Sequence, residues 1–310
     1  MTAPLHSREI PGKGRYYGPC QDGCPLGSDT GQLYVSVTNA QSVINKPALP
    51  PAAARDTAAA AWERLPQMVA TSRQPESGIP ADGNPKTCDK RSPVSTRCGR
   101  CRFCVTMAIK AQYKEQWETK ADFGTLVHAY AHAHVLGKPM PPNEDVEPFL
   151  GQYLAFLDAW GVDLDRHVEA AETTVFDRKN RYAGTGDVWV QLPTGSGGRR
   201  QLWLVDIKTS LTKPPTTVYA DQELQLAGLR YAPHAVLVDD TEVKVPTFAG
   251  AALLNLRANA HALIPLPADR AAHKAFLHAV GLQEHFHGQD TKAWVPLDAP
   301  VLPEPKGRVA

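Results

Sequence analysis

Two apolar runs, Tyr182-Ala-Gly-Thr-Gly-Asp187-Val-Trp-Val190 and Leu202-Trp-Leu-Val-Asp206-Ile-Lys208-Thr-Ser210, flank the turn Pro193-Thr-Gly-Ser-Gly-Gly-Arg-Arg200. Runs rich in Val, Leu and Trp around a Gly-rich turn predict a β-hairpin. Strand alternation then places Asp206 and Lys208 on one face and Val205, Ile207 and Thr209 on the other. A hairpin symmetric about its turn sets Pro193 against Arg200 and Asp187 against Asp206. Like charges facing each other across two strands are destabilising unless a cation lies between them. Carboxylate oxygens on rigid strands suit Mg2+ or Mn2+, ions that activate water and neutralise charge on a phosphate. Lys208 would then orient or deprotonate the attacking water, or stabilise a charged phosphorane. The competing reading is a half-exposed hairpin with three solvated charges. The placement of both acids inside otherwise apolar strands weighs against it.

The 310 residues, 43% hydrophobic and 21% charged, suffice for one large core or two modest ones. A net charge of +1 excludes a uniformly basic nucleic-acid coat and leaves room for a local patch. No apolar run reaches the length of a membrane span, and the first residues lack a signal-peptide core. A cytoplasmic protein with no membrane partner is expected. Six cysteines in that setting point to metal ligands or thiols rather than disulfides.

Their spacing favours a metal. Cys20-Gln-Asp-Gly-Cys24 lies in a Gly/Pro-rich arm, Cys88 follows a linker at 73–87, and then comes Cys98-Gly-Arg-Cys101-Arg-Phe-Cys104. Paired C-x-x-C steps let a tight turn aim thiolates at one ion. Zn2+ takes four ligands, and Cys20 and Cys24 joining two of the later cysteines is the favoured set. The C-x-x-C-x-x-C run also matches part of an iron–sulfur ligand set, so a 4Fe–4S cluster is the alternative. Around the cluster Lys86, Lys90, Arg91, Arg97, Arg100, Arg102, Lys110 and Lys114 face one acid, Asp89. Such a segment either contacts phosphates or is a solvated surface.

The remaining pattern alternates helices and strands. Residues 1–33 read as a loop-dominated arm bearing the first two cysteines. Residues 34–116 form a helical region with the Cys-rich basic segment, opened by a strand at 34–38 and a helix capped by Thr38 or Asn39, with a second helix from 52 to about 70. Residues 117–287 carry the main α/β unit, and 288–310 a Pro-rich tail. Within that unit a helix at 120–137, capped by Asp122, aligns His128 and His132 on one face, where a zinc pair is conceivable. A helix at 144–160 buries a stripe of Val146, Phe149, Tyr153, Phe156 and Leu157. A strand at 172–176 makes a meander with the hairpin. A helix at 219–229 carries Gln222 and Gln225 about one turn apart, strands follow at 250–257 and 262–266, and a final helix spans 268–285.

The ordered series Gly124-x-x-x-His128, Glu172, Gly184-Thr-Gly-Asp187, Asp206-Ile-Lys208 and a Gln-bearing helix resembles the PD-(D/E)XK nuclease superfamily. It is closest to the RecB-like branch, which includes CRISPR-associated exonucleases and phage recombination exonucleases. Ser36-Val-Thr38 and Lys46-Pro47-Ala48-Leu49 resemble the opening of the phage members. The resemblance covers about residues 34 to 285. It implies an α/β (α+β) fold with a mixed central sheet flanked by helices, a restriction-endonuclease-like core, and here an N-terminal cysteine-rich insertion. It also implies that His128, Asp187, Asp206 and the Ile207 carbonyl bind a catalytic Mg2+ or Mn2+, that Lys208 is the catalytic lysine, and that Glu172 and Gln225 belong to the site. Gln225 matches the glutamine of the family's Q-x-x-x-Y motif, whose tyrosine position is Leu229 here. Iron–sulfur members place three cysteines after the nuclease core, whereas all six here precede His128, which favours zinc. The implied activity is hydrolysis of DNA ends in recombination, replication or repair, in the host cytoplasm if the chain is phage-encoded. DNA is the partner, and a single-strand annealing protein or helicase is a candidate second one. The alternatives are a structure- or site-specific endonuclease with the same residues, and an inactive zinc-stabilised DNA-binding protein.

Overall fold

In the computed structural model, which describes residues 6–18, 33–73, 98–237, 239–290 and 293–297, the hairpin forms in the expected register. Strand β5 (Tyr182–Leu192) runs antiparallel to β6 (Gln201–Thr209), pairing Val188 with Val205 and Leu192 with Gln201. Strand β4 (Val168–Asp177) lies along the other edge of β5, completing the meander. The turn between β4 and β5 is closed by Asp177, whose carboxylate accepts from Asn180 N at 3.0 Å and Asn180 Nδ2 at 2.6 Å.

The sheet grows from this meander on both sides. Beyond β6 lie β9 (Gly250–Leu256), parallel to it, and β10 (His261–Leu266), antiparallel to β9. Beyond β4 lie the three-residue strands β7 (His234–Val236) and β8 (Glu242–Lys244), too short for alternation to reveal in sequence. Strand β3 (Tyr34–Ser36) runs parallel to the start of β5. Against β3 packs a hairpin, β1 (Ser7–Ile10) and β2 (Gly14–Tyr17), where a loop-dominated arm was expected. The glycines that suggested a loop form its turn. Gly12 and Gly14 have φ of 75° and 84°, Lys13 N donates to Ile10 O at 2.9 Å, and Tyr17 is 2% exposed. Among the described residues the result is a mixed, mostly antiparallel ten-stranded sheet flanked by helices.

Helices cover both faces. On one, α7 (Ala220–Arg230) and α8 (Arg270–Gly288) meet Val175, Trp189, Leu204 and Leu253 through Leu226, Leu229 and Phe276. The short α1 (Val37–Ala40) joins them, capped by Ser36 rather than by Thr38 or Asn39: Asn39 N donates to Ser36 Oγ at 3.0 Å. On the other face, α5 (Glu147–Ala159) buries the expected Phe149, Tyr153, Phe156 and Leu157 against Val190, Val205 and Leu254, and the one-turn α6 (Leu164–His167) leads from it into β4.

Beside α5 lies α4 (Arg102–Val135), a 34-residue helix that starts well before the expected boundary. Asp122 is interior, and the N-cap is Cys101, whose Sγ accepts from Cys104 N at 3.5 Å. No proline interrupts residues 102–135, and Lys, Glu, Gln and Ala sustain the helix through its exposed stretch. Helices α2 (Leu49–Glu63) and α3 (Leu65–Thr71) pack along its first half, broken at Arg64 where one helix was expected.

Two close approaches bring the elements to their working distances. A Cβ on Gly124 of α4 would lie 3.0 Å from Thr209 Oγ1 at the end of β6, so the glycine lets the helix approach that strand end. A Cβ on Gly184 of β5 would lie 2.8 Å from both Leu229 Cδ2 and Val37 Cγ2. Gly184→Ala is therefore expected to destabilise the protein by about 1–3 kcal/mol through overpacking, read as a lower urea midpoint with an unchanged m-value.

Candidate active site

The site lies where the sheet forks. One edge of β5 is paired with β4, while its other edge meets β3 at Tyr182 and Ala183 and β6 only from Val188 onward. Among the described residues the stretch from Gly184 to Asp187 between them has no ladder partner on that edge, and a side chain fills the gap: Asp187 Oδ2 accepts from Ile207 N at 2.6 Å. Continuing the β4/β5 register sets Glu172 opposite Asp187, and continuing the β5/β6 register sets Asp187 opposite Asp206. Three acids thus stand in one row across three strands, where mutual repulsion calls for positive charge.

Positive charge comes from two directions. His128, on α4 one turn after Gly124, brings Nδ1 to 3.4 Å from Asp187 Oδ2. Lys208 lies two residues along β6 from Asp206 and on the same face, with Nζ 2.7 Å from Asp206 Oδ2. The other oxygen of Asp206 accepts from Gln225 Nε2 at 3.1 Å, which ties α7 to the site.

These contacts shape the protonation of each group. Burial disfavours the imidazolium of His128, but the Asp187 carboxylate outweighs it and lifts the pKa to about 9. Asp187 is itself held below the usual carboxylate range: burial pushes it up, and the His128 charge and hydrogen bond pull it further down. Asp206 is raised, chiefly by burial, despite Lys208. Lys208 is raised because Asp206 and Asp187 overcome its burial. Glu172 is pushed up to about 7 by burial and by the Asp187 charge. It also takes a left-handed φ of 49°, a conformation that costs a non-glycine residue energy.

Donor atoms of His128, Glu172 and Asp187 lie within 4.8 Å of one another, a group that can hold a metal ion. This differs from the ligand set expected from sequence. Glu172 joins the convergent group, whereas Asp206 stands beside it with both oxygens engaged by Lys208 and Gln225. Ile207 contributes the N–H that anchors Asp187. Gln222 turns away, accepting from Tyr219 N at 2.7 Å as the start of α7. His132 does not join the group, and His134 packs edge-on to Tyr153 at 5.7 Å. Leu229, at the motif's tyrosine position, is 2% exposed and belongs to the core against Gly184. Sequence reasoning also passed over the contact of Lys46 Nζ with Asp221 Oδ2 at 2.7 Å, made by residues on distant segments that no local pattern connects.

A second donor group caps the far end of α4. Cys98, Cys101 and Cys104 converge within 4.8 Å, with Cys98 and Cys104 sulfurs 3.9 Å apart, and can hold a metal ion. Backbone N–H groups of Arg100 and Cys101 point at Cys98 Sγ, at 3.4 and 3.3 Å. Cys20, Cys24 and Cys88 lie outside the described residues, as do Lys86, Lys90, Arg91 and Arg97, while Arg100, Arg102, Lys110 and Lys114 are exposed. At 1.5 Å per residue the cysteines and His128 are separated by roughly 36 Å of helix, so the two groups are distinct sites. No helix among the described residues is long and apolar enough to cross a membrane.

No protein-family model matches the chain, and no curated protein does. Among solved structures the chain is similar to one titled "Crystal structure of SSO0001", at 15% identity and a TM-score of 0.26, over 58% of this chain and 71% of that one.

Proposed function

We propose that this chain is a metal-dependent deoxyribonuclease with a restriction-endonuclease-like core, hydrolysing phosphodiester bonds at DNA ends. The observation that carries this reading is the row of Glu172, Asp187 and Asp206 at the fork of the sheet, met by His128 and Lys208. The donor set fits a hard divalent cation: carboxylate oxygen and imidazole nitrogen, with more acid than the two neighbouring cations neutralise. His128, Glu172 and Asp187 would hold Mg2+ or Mn2+, with the Ile207 carbonyl as a further donor. Such an ion supplies Lewis acidity and a nucleophile at neutral pH.

The chain's own groups do the rest. The ammonium of Lys208, steered by Asp206, supplies positive charge where a phosphate gains negative charge. Gln225 holds Asp206 in place and so fixes Lys208 from α7. Asp187, locked by the Ile207 N–H, orients His128. The choice of ends over internal bonds follows the family resemblance, and a closed circular DNA tests it. With Mn2+ the protein is expected to degrade linear DNA and leave the circle intact; nicking or linearising the circle would assign an endonuclease instead.

The cysteine group is read as a structural Zn2+ site carried next to the basic start of α4 as a DNA-facing module. Because Cys98, Cys101 and Cys104 all converge, a four-ligand site takes one further ligand from Cys20, Cys24 or Cys88, rather than both Cys20 and Cys24 with two of the later cysteines. Purified protein is expected to contain one zinc per chain and to be colourless, and Cys101→Ser to lose at least half of that zinc. Visible absorbance with bound iron would replace zinc by an iron–sulfur cluster.

A further inference from the structure

Between Lys208 and α7 the chain passes through Ser210-Leu-Thr-Lys-Pro-Pro-Thr-Thr-Val-Tyr219, a loop whose two prolines carry no backbone N–H. Two side chains at the end of β9 grip it. Asn255, 1% exposed, donates from Nδ2 to Pro215 O at 2.6 Å and Thr217 O at 2.9 Å. Arg257, 6% exposed, donates from Nε to Lys213 O at 2.6 Å and from Nη2 to Pro214 O at 2.9 Å. Its Nη1 reaches Leu256 O at 2.7 Å and the carbonyl of Lys208 itself at 3.3 Å. Burying a guanidinium is costly unless its donors are met, and here they are met by carbonyls. The cost secures one thing: the shape of this loop and its attachment to the residue that carries Lys208.

With the carbonyls of Lys213, Pro214, Pro215 and Thr217 held by Asn255 and Arg257, the loop exposes Leu211 (58%), Lys213, Val218 (38%) and Tyr219 (47%) to solvent. That stretch begins next to Lys208 and ends at the first turn of α7, where Asp221 is neutralised by Lys46. An exposed aromatic ring and a cation, on a loop that joins the strand carrying Lys208 to the helix whose Gln225 holds Asp206, complement a nucleic-acid strand, whose bases stack and whose phosphates pair.

We propose that the loop 210–219 is the seat of the DNA strand beside the cleaved bond, with Tyr219 stacking on an unpaired nucleobase and Lys213 meeting the adjacent phosphate. Asn255 and Arg257 are its positioning residues. The proposal rests on the nuclease reading and names the part of the substrate that the metal group does not hold.

The test compares steady-state hydrolysis of an end-labelled strand in Mn2+ with that of the same strand carrying an abasic position next to the cleaved bond. Tyr219→Ala is expected to raise KM on the intact strand at least about fivefold, the lower bound for losing one stacked base, with a smaller change in kcat. On the abasic strand the KM of variant and wild type converge. Arg257→Lys, which keeps the charge and loses the planar fork, reproduces the KM increase on the intact strand. An unchanged KM for Tyr219→Ala, or an equal increase on both strands, overturns the proposal. If wild type cuts neither strand, the nuclease reading fails and the seat is read alone, by anisotropy of the labelled strand without Mn2+. Weaker binding by Tyr219→Ala confined to the intact strand sustains it, and identical binding overturns it.

Discussion

Glu172→Gln is expected to make the metal-free protein more stable while abolishing its activity. Burial and the neighbouring Asp187 charge raise the Glu172 pKa from 4.5 to about 7, so the folded state holds that proton more tightly than the unfolded chain. The associated stability is fully present below 4.5 and is lost as pH rises towards about 7. Above that window the wild-type protein carries a charge that the fold disfavours, a penalty of order 1–3 kcal/mol after allowance for partial exposure. The amide variant has no such titration. Urea unfolding at pH 8 in chelator is expected to show a higher midpoint for Glu172→Gln, and at pH 4 the two proteins should nearly coincide. Saturating Mn2+ reverses the order at pH 8, because a ligand that binds only the folded state stabilises it in proportion to its affinity and the variant has lost a donor. A wild type more stable than the variant in chelator would mean that Glu172 is an ordinary structural acid.

Asp187→Asn is expected to lower DNA hydrolysis by about a hundredfold to a thousandfold, the scale of losing a principal electrostatic group in an active site, with little loss of fold. The amide oxygen can still accept the Ile207 N–H that now reaches Asp187 at 2.6 Å, so the strand gap stays closed. What disappears is the charge that lifts His128 to about 9 and one of the three convergent donors. Circular dichroism and the urea midpoint separate a silenced site from a damaged fold. Lys208→Ala is a poorer probe, because it leaves the buried Asp206 carboxylate without its 2.7 Å ammonium partner, a defect of several kcal/mol in its own right.

The centre of this site is legible in sequence because a hairpin turn propagates: once Pro193 faces Arg200, Asp187 must approach Asp206, and the β5/β6 register does so. The contribution of Glu172 is not legible from alternation, since its left-handed φ and its alignment with Asp187 arise only when β4 is laid against β5. Periodicity offers His128 only as half of a zinc pair with His132, whereas the resemblance puts it beside Asp187, and its reach depends on Gly124 letting α4 close on Thr209. The true start of α4 is hidden in sequence because Asp122 is a plausible cap, while the actual cap is Cys101. The departure at Leu229 also has a physical explanation. A Cβ on Gly184 would meet Leu229, so the position where the resemblance expects a tyrosine is committed to core packing. What no pattern disclosed is the grip of Asn255 and Arg257 on the loop after Lys208, because its acceptors are backbone carbonyls, which every sequence has.

The most direct test of the acidic row as a metal-dependent phosphodiesterase site is product analysis of end-labelled linear DNA incubated with the protein in Mn2+, in chelator, and with the Asp187→Asn variant in Mn2+. Hydrolysis by the wild type in Mn2+ alone is the predicted result. Intact DNA in all three reactions, or equal hydrolysis by the variant, would contradict it.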